Sequence, residues 1–203
     1  MDRESYLVMS FIHLRTASAY SLKYGTTQPR DLVARASELE MPALALTDRD
    51  GLAGAIRFTK ACVSHGIAPI IGINLPIAIG DVSGTLPRVT VLAHGDGGWR
   101  SLVRLYTGLQ MNSPNRTAIL TPELLEKFSQ YTSNLHLLHG PESPVSQALA
   151  AHRFDRALEI FNQTRDLFAD HAIECVSHLV AGSGPRSTAH AARSLIFARD
   201  KDI

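Results

Sequence analysis

Short apolar runs suited to strands alternate along this chain with longer stretches in which apolar residues recur every three or four positions. The run at residues 11–16 predicts a first strand. QPRDLVARASELE carries Leu32, Val33, Ala36 and Leu39 at helical spacing, Met41-Pro42 closes it, and ALALTD supplies the next strand, completing one βαβ crossover. GLAGAIRFTKACVSHG sets Leu52, Ala55, Ile56, Thr59, Ala61, Cys62 and Val63 mostly along one side. Gly66 stops that helix, and APIIGINLPIA predicts a buried strand.

The turn-rich GDVSGTLPR predicts a hairpin or loop before a strand at 89–94 and a helix at about 98–110. After a polar connection, TPELLEKFSQ offers Thr121 as N-cap with Pro122 at the first helical position and Glu123 in the first turn, and LHLLHG follows as a strand. Helices at 144–150 and 153–169, the strand HAIECVSHL and a last helix at 187–199 complete the alternation. The pattern implies an α/β fold with a mainly parallel sheet, whose right-handed crossovers bring the loops after the strands to one rim. A closed barrel and an open doubly wound sheet both place ligands there, so alternation leaves the choice between them open.

A chain of 203 residues suits one domain with a substantial core. With 45% hydrophobic and 19% charged residues it has a globular balance, and a net charge of +1 gives no global bias toward polyanions. Cys62 and Cys175 fall in a predicted helix and strand, which favours buried free thiols over a disulfide and fits a reducing, cytoplasmic setting. The apolar part of MDRESYLVMSF is too short for a signal peptide or membrane span, so no membrane association is expected.

The predicted strand ends carry Arg15 and Ala17, then Asp48-Arg49, Asn74, His94, His139 and His178. A catalytic metal cluster needs converging His, Asp, Glu or Cys ligands, whereas Arg15 and Arg49 are permanently protonated and repel a divalent cation. Asp48 is a metal ligand or a helix cap, with Asp50 competing for the second role. His13, His139 and His178 are satisfied core or rim histidines or else ligands. Glu174 on an apolar strand would need an arginine partner, which Arg15 or Arg49 supplies. There is no lysine-containing phosphate loop, dinucleotide-binding glycine pattern, nucleophile elbow or zinc-spaced cysteine pair. GDGG before Trp99 is a loop and cap or a weak phosphate cradle, and Arg100 and Arg104 mark a solvated helix face or a contact surface.

Four blocks, FIHLRTASAYSLKYG, MPALALTDRDGLAGAIRFTKAC, GIAPIIGINLPIA and VTVLAHGDGGWRSLVRLYT, resemble in order and spacing the N-terminal PHP (polymerase and histidinol phosphatase) domain of bacterial DNA polymerase III alpha subunits. The likeness is clearest through about Thr107 and continues in register to LIFARDKDI. It implies a distorted (β/α)7 barrel lacking its last strand, with residues 1–203 forming the PHP domain of a larger polymerase subunit whose palm, thumb and fingers lie elsewhere. The chain is then a fragment or a truncated relative.

Active members of the family carry an H-x-H pair, a T-D-H, a G-x-E and later His, Cys and Asp ligands around zinc or manganese. Here Arg15 and Ala17 flank Thr16, Arg49 follows Asp48, Asn74 stands at the glutamate position, Arg88 at a later histidine, and His139-Gly140-Pro141 at an S-G-C block. The resemblance therefore implies a vestigial cleft of His13, Arg15, Ala17, Asp48, Arg49, Asn74, Arg88, His139, Glu174 and His178. No catalytic residue and no cofactor are expected, and Arg15 or Arg49 should pair with Asp48 or Glu174. The implied role is structural and partner-docking in DNA replication, with DNA-directed DNA polymerase (nucleotidyltransferase) activity belonging to the parent chain. Expected partners are the rest of the alpha subunit, a proofreading exonuclease subunit, and DNA through the holoenzyme. The alternative is a metal-dependent phosphoesterase or 3'-5' exonuclease, holding zinc or manganese in a rearranged site of Asp48, His139, His178 and His13.

Overall fold

Five strands, β1 (Ala43–Leu46), β2 (Ala68–Pro76), β3 (Arg88–Ala93), β4 (Leu135–His139) and β5 (Asp170–Ile173), form one sheet in sequence order. They belong to a computed structural model that describes residues 11–79, 84–113, 117–168, 170–176, 179–184, 187–201 and 203. The helices are α1 (Pro29–Glu38), α2 (Ala55–His65), α3 (Gly95–Asn112), α4 (Pro122–Lys127), α5 (Pro144–Ala150), α6 (Phe154–Arg165) and α7 (Thr188–Lys201). Their ends follow local chemistry. The Thr121 hydroxyl accepts from the Leu124 N–H at 3.3 Å ahead of Pro122, and Gly66 takes the left-handed conformation (φ 70°) that closes α2.

β1 pairs with β2, and β4 with β5, in parallel, but β3 runs antiparallel to both of its neighbours. The link between β2 and β3 is too short for the crossover that a parallel pair needs, so the chain reverses. The third strand and its helix thus stand where expected, but the strand runs against the parallel direction expected for most of the sheet, with two consequences. Arg88 opens β3 on the rim where its neighbours end. His94, just after β3, goes to the opposite rim, where its N–H donates to the Asn134 carbonyl at 2.9 Å. The GDGG stretch is already the first turn of α3 on that far side, so it does not join the cleft.

Residues 11–16 do not form the regular strand that their pattern predicts. They run beside β1 with a bend at Leu14: Ala45 N–H donates to the His13 carbonyl (2.9 Å) and Thr47 N–H to that of Thr16 (2.8 Å). Three steps of this segment match two of β1, an extra residue that breaks the ladder as a bulge does. The last predicted strand is regular only through Ile173, and His178 lies outside the described residues.

Strand alternation sorts the sheet into two faces. Leu44 and Leu46 pack under α1 and α2, while Ile73, Leu75, Val89, Val91, Leu135 and Leu137 join Leu102, Leu105, Leu149 and Phe161 in the main core. The other face carries mostly small or polar side chains, among them Ala45, Thr47, Gly72, Asn74 and Thr90, with Leu92 and Leu138 as its large buried apolar residues. Small side chains there permit tight curvature. In a flat sheet the steps from the leading segment to β5 span about 24 Å at the usual strand spacing. Yet Arg15 Nε lies 3.2 Å from Glu174 Oε1, just past β5, so the sheet curls into a distorted (β/α) barrel whose two ends meet through side chains.

Gly72 sits at the tightest backbone approach of this curl: a Cβ there would meet the Val91 carbonyl oxygen and Leu92 Cδ2 at 2.6 Å and Thr47 Cγ2 at 2.9 Å. Gly72→Ala is therefore expected to destabilise the fold by about 1–3 kcal/mol in urea unfolding. Gly184→Ala, where a Cβ meets nothing within 4 Å, should leave stability nearly unchanged.

Candidate functional site

The rim where β1, β2, β4 and β5 end, and where β3 begins, gathers the chain's chemistry around Asp48. The Asp48 side chain is almost fully buried and is turned back onto the 18–21 turn. Its Oδ1 accepts from Ser18 N–H at 2.6 Å, from the Ser18 hydroxyl at 3.0 Å and from the Ser21 hydroxyl at 2.7 Å, and the Ser18 hydroxyl also lies 2.8 Å from Oδ2. Ser21 Oγ in turn accepts from Arg49 N–H at 2.9 Å. Asp48 thus ties the loop after the leading segment to the end of β1. Of the two carboxylates expected to meet Arg15 or Arg49, Glu174 does so through Arg15, while Asp48 is already occupied by four short donor contacts. Nor does it cap a helix: α2 starts at Ala55 behind Gly54, with no side-chain cap.

Around this knot three guanidinium groups each meet a carboxylate. Arg15 engages Glu174; Arg49 Nη2 contacts both Glu142 oxygens at 2.9 and 2.7 Å, and its guanidinium stacks 3.6 Å from the Tyr24 ring centre. Arg88 donates from Nη2 to Asp50 Oδ1 (2.7 Å) and to the Asn74 carbonyl (2.8 Å), and from Nε to Asn74 Oδ1 (2.6 Å). Asn74 is buried and spends its own N–H groups on the Val89 carbonyl and Thr90 Oγ1, both at 3.2 Å. Burial holds the Glu174 carboxyl above its usual range, an effect that Arg15 opposes and the nearby Glu142 charge reinforces. Gly140 makes room for this pair: a Cβ there would press against Glu174 Oε2.

Among the described residues, the predicted histidines His13 and His139 do not converge with Asp48. His139 shares its strand face with Leu135 and Leu137, so it points into the helix layer, where its ring lies 5.6 Å from Phe161 and its Nε2 3.4 Å from His171 Nδ1. Burial, with the neighbouring His171, pushes its pKa down to about 3. His13 is exposed, edge-on to Phe11 at 4.8 Å. Ala17 lines the cleft beside Arg15 and Arg49 without contributing a polar group. The residues present do not fit a divalent metal cluster: Asp48 is saturated by serine donors, guanidinium groups line the cavity, and among the described residues no three His, Cys, Asp or Glu side chains gather as a metal site.

Sequence reasoning missed Ser18, Ser21 and Glu142. Glu142 was discoverable, since three rim arginines require a third carboxylate and it is the acidic residue of the loop after β4. The outward direction of His139 was likewise written in the period-two pattern of Leu135, Leu137 and His139.

A family model described as PHP domain matches residues 13–178. An error-prone DNA polymerase of Corynebacterium efficiens is 36% identical over 132 residues, covering 65% of this chain and 12% of the relative. The DNA polymerase III subunit alpha of Buchnera aphidicola is 34% identical over 140 residues, covering 68% and 12%. The chain thus spans about one eighth of the length of these relatives. A crystal structure from Bifidobacterium adolescentis, provisionally assigned as a metal-dependent phosphoesterase, superposes with a TM-score of 0.52 at 14% identity, covering 95% of this chain and 83% of that one. At that identity the likeness concerns the fold.

Asp48→Ala should cost about 2–4 kcal/mol, because it strands buried donors of Ser18 and Ser21. Acid sensitivity follows from His139. Its folded pKa lies below the unfolded value near 6.5, so its contribution is present above pH 6.5 and is lost as pH falls toward 3. Urea unfolding is expected to show a loss of roughly 2 kcal/mol between pH 7 and 5 from this group, with a shallower slope in His139→Leu.

Proposed function

Because the chain belongs to the PHP domain family, we propose that residues 1–203 act as the PHP module of a DNA polymerase III alpha-type polypeptide, an architectural and partner-docking unit without hydrolytic activity of its own. Its homologues include DNA polymerase III alpha subunits and error-prone DNA polymerases, which supports a setting in DNA replication. Nucleotidyl transfer belongs, on this reading, to the polymerase portion of the longer polypeptide.

The observation that carries the reading is the set of three arginine-carboxylate pairs, Arg15–Glu174, Arg49–Glu142 and Arg88–Asp50, on the rim where a metal-dependent hydrolase needs acidic and imidazole ligands. Metal-bound water becomes a nucleophile only beside a retained cation that lowers its pKa, and permanently cationic side chains oppose both conditions. The pairs instead join the leading segment to the end of the sheet and β1 to the β4–α5 loop. That bracing suits a rigid base for neighbouring modules. The rest of the alpha subunit is its immediate partner, with DNA reached through it and a proofreading exonuclease subunit as the candidate docked protein. Among the described residues no helix is long and apolar enough to cross a membrane.

Protein prepared without chelator is expected to contain far less than one equivalent of zinc or manganese by elemental analysis, and to leave bis(p-nitrophenyl) phosphate intact with either ion added. Stoichiometric metal together with turnover abolished by Asp48→Ala would establish the phosphoesterase alternative instead.

A further inference from the structure

We propose that the barrel mouth opposite the cleft is a site for an imidazole-preferring divalent cation of the zinc class, with His94 and His136 as its ligands and Asp170 orienting one of them. The inference goes beyond the metal-free reading of the cleft, because none of these three residues stands on the cleft rim.

Three adjacent strands bring the side chains together. β3 runs antiparallel to β4, so its end and the starts of β4 and β5 share one rim. His136 is the register partner of Leu92 on β3 and of Asp170 on β5. Alternation sets it with Leu138 on the sheet face turned away from the core residues Leu135 and Leu137. His94 follows Leu92 by two positions with extended backbone (φ −122°, ψ 134°), so its side chain takes the same face. The two rings lie 4.4 Å apart, centre to centre, at an interplanar angle of 59°. Imidazole nitrogens about 2.0–2.1 Å from a shared zinc ion set the ring centres roughly 5 Å apart. A small turn of the exposed His94 ring therefore converts packing into chelation.

The surroundings of His136 favour a ligand role. Asp170 Oδ2 lies 3.2 Å from His136 Nδ1, while Asp170 Oδ1 accepts from His171 N–H at 2.8 Å. A carboxylate beside Nδ1 holds the ring proton on that nitrogen and leaves Nε2 as the bare lone pair, the tautomer that carboxylates impose on metal-bound histidines. Nε2 is shielded and has no hydrogen-bond partner, and the His94 side chain is not spent on capping α3. A cation between the rings satisfies an acceptor that is otherwise buried at a cost. The charge also differs from that of the cleft, since here a carboxylate faces imidazoles instead of guanidinium groups. Among the described residues no three His, Cys, Asp or Glu side chains gather as a metal site. Water therefore completes the coordination, the affinity is modest, and desalting strips the ion, in keeping with the low metal content expected of purified protein.

Titration calorimetry of the untagged full chain with zinc chloride at about pH 7.5, with NMR of the histidine ring protons to locate the ion, tests the assignment. One equivalent is expected to bind with half-saturation below about 100 μM, shifting the His94 and His136 resonances. His94→Ala, a change at an exposed position, should weaken binding at least roughly tenfold, and Asp170→Asn roughly tenfold with both rings in place. Manganese, which prefers oxygen donors, should not compete. Failure to saturate by about 1 mM, or an affinity unchanged in His94→Ala, overturns the site. Stoichiometric zinc that shifts the backbone amides around Asp48 and leaves the His94 and His136 rings unmoved overturns this inference and the metal-free reading together, whereas a null titration overturns this inference alone.

Discussion

Charge neutralisation on a single rim governs this molecule. Three guanidinium groups cannot share a partly buried cleft unless anions stand beside them, because their mutual repulsion grows as water is withdrawn. Glu174, Glu142 and Asp50 meet that requirement, each from a different part of the chain. The most consequential is Arg15–Glu174, since it spans the two ends of the sheet and thereby connects local electrostatics to the curl of the barrel. Gly140 lies directly beside this pair, so that a side chain there would press on the ends of Glu174 and Arg15.

Asp48 shows how a residue type associated with metal chemistry becomes a structural one. Its oxygens receive a backbone N–H and two hydroxyls from a loop that precedes it by about thirty residues, so its charge is solvated by the protein itself. Beside it, Asn74 takes a neutral amide role between Arg88 and the β3 backbone. The charges of the cleft are therefore spent within the protein: each guanidinium is met by a carboxylate, and Asp48 is met by serine donors rather than by a cation. Internal pairing of this kind is compatible with a scaffold.

Much of the architecture was legible because periodicity reports which face of an element is buried. Helix α1 and strand β1, the Thr121 cap and the Gly66 stop appear close to where their patterns put them. The direction of β3 was harder to read, since a strand's own pattern does not say which way it pairs; only the short link after β2 excludes a parallel crossover. The leading segment misled for a related reason. An apolar run predicts extended chain, and it cannot reveal the extra residue near Leu14 that spoils a regular ladder.

At the site, the pairing of Arg15 with Glu174 followed from a simple requirement that a partly buried carboxylate have a cation, while the fate of Asp48 did not. Serine hydroxyls compete with arginine for a carboxylate only when the backbone folds them into reach, and Ser18 and Ser21 are distant from Asp48 in sequence. The most direct measurement is a high-resolution crystal structure of the chain grown with millimolar manganese, with anomalous data collected for that metal. The account predicts Arg15 against Glu174, Arg49 against Glu142, the serines on Asp48, and no anomalous peak in the cleft. A peak coordinated by Asp48, with the guanidinium groups swung outward, would contradict it.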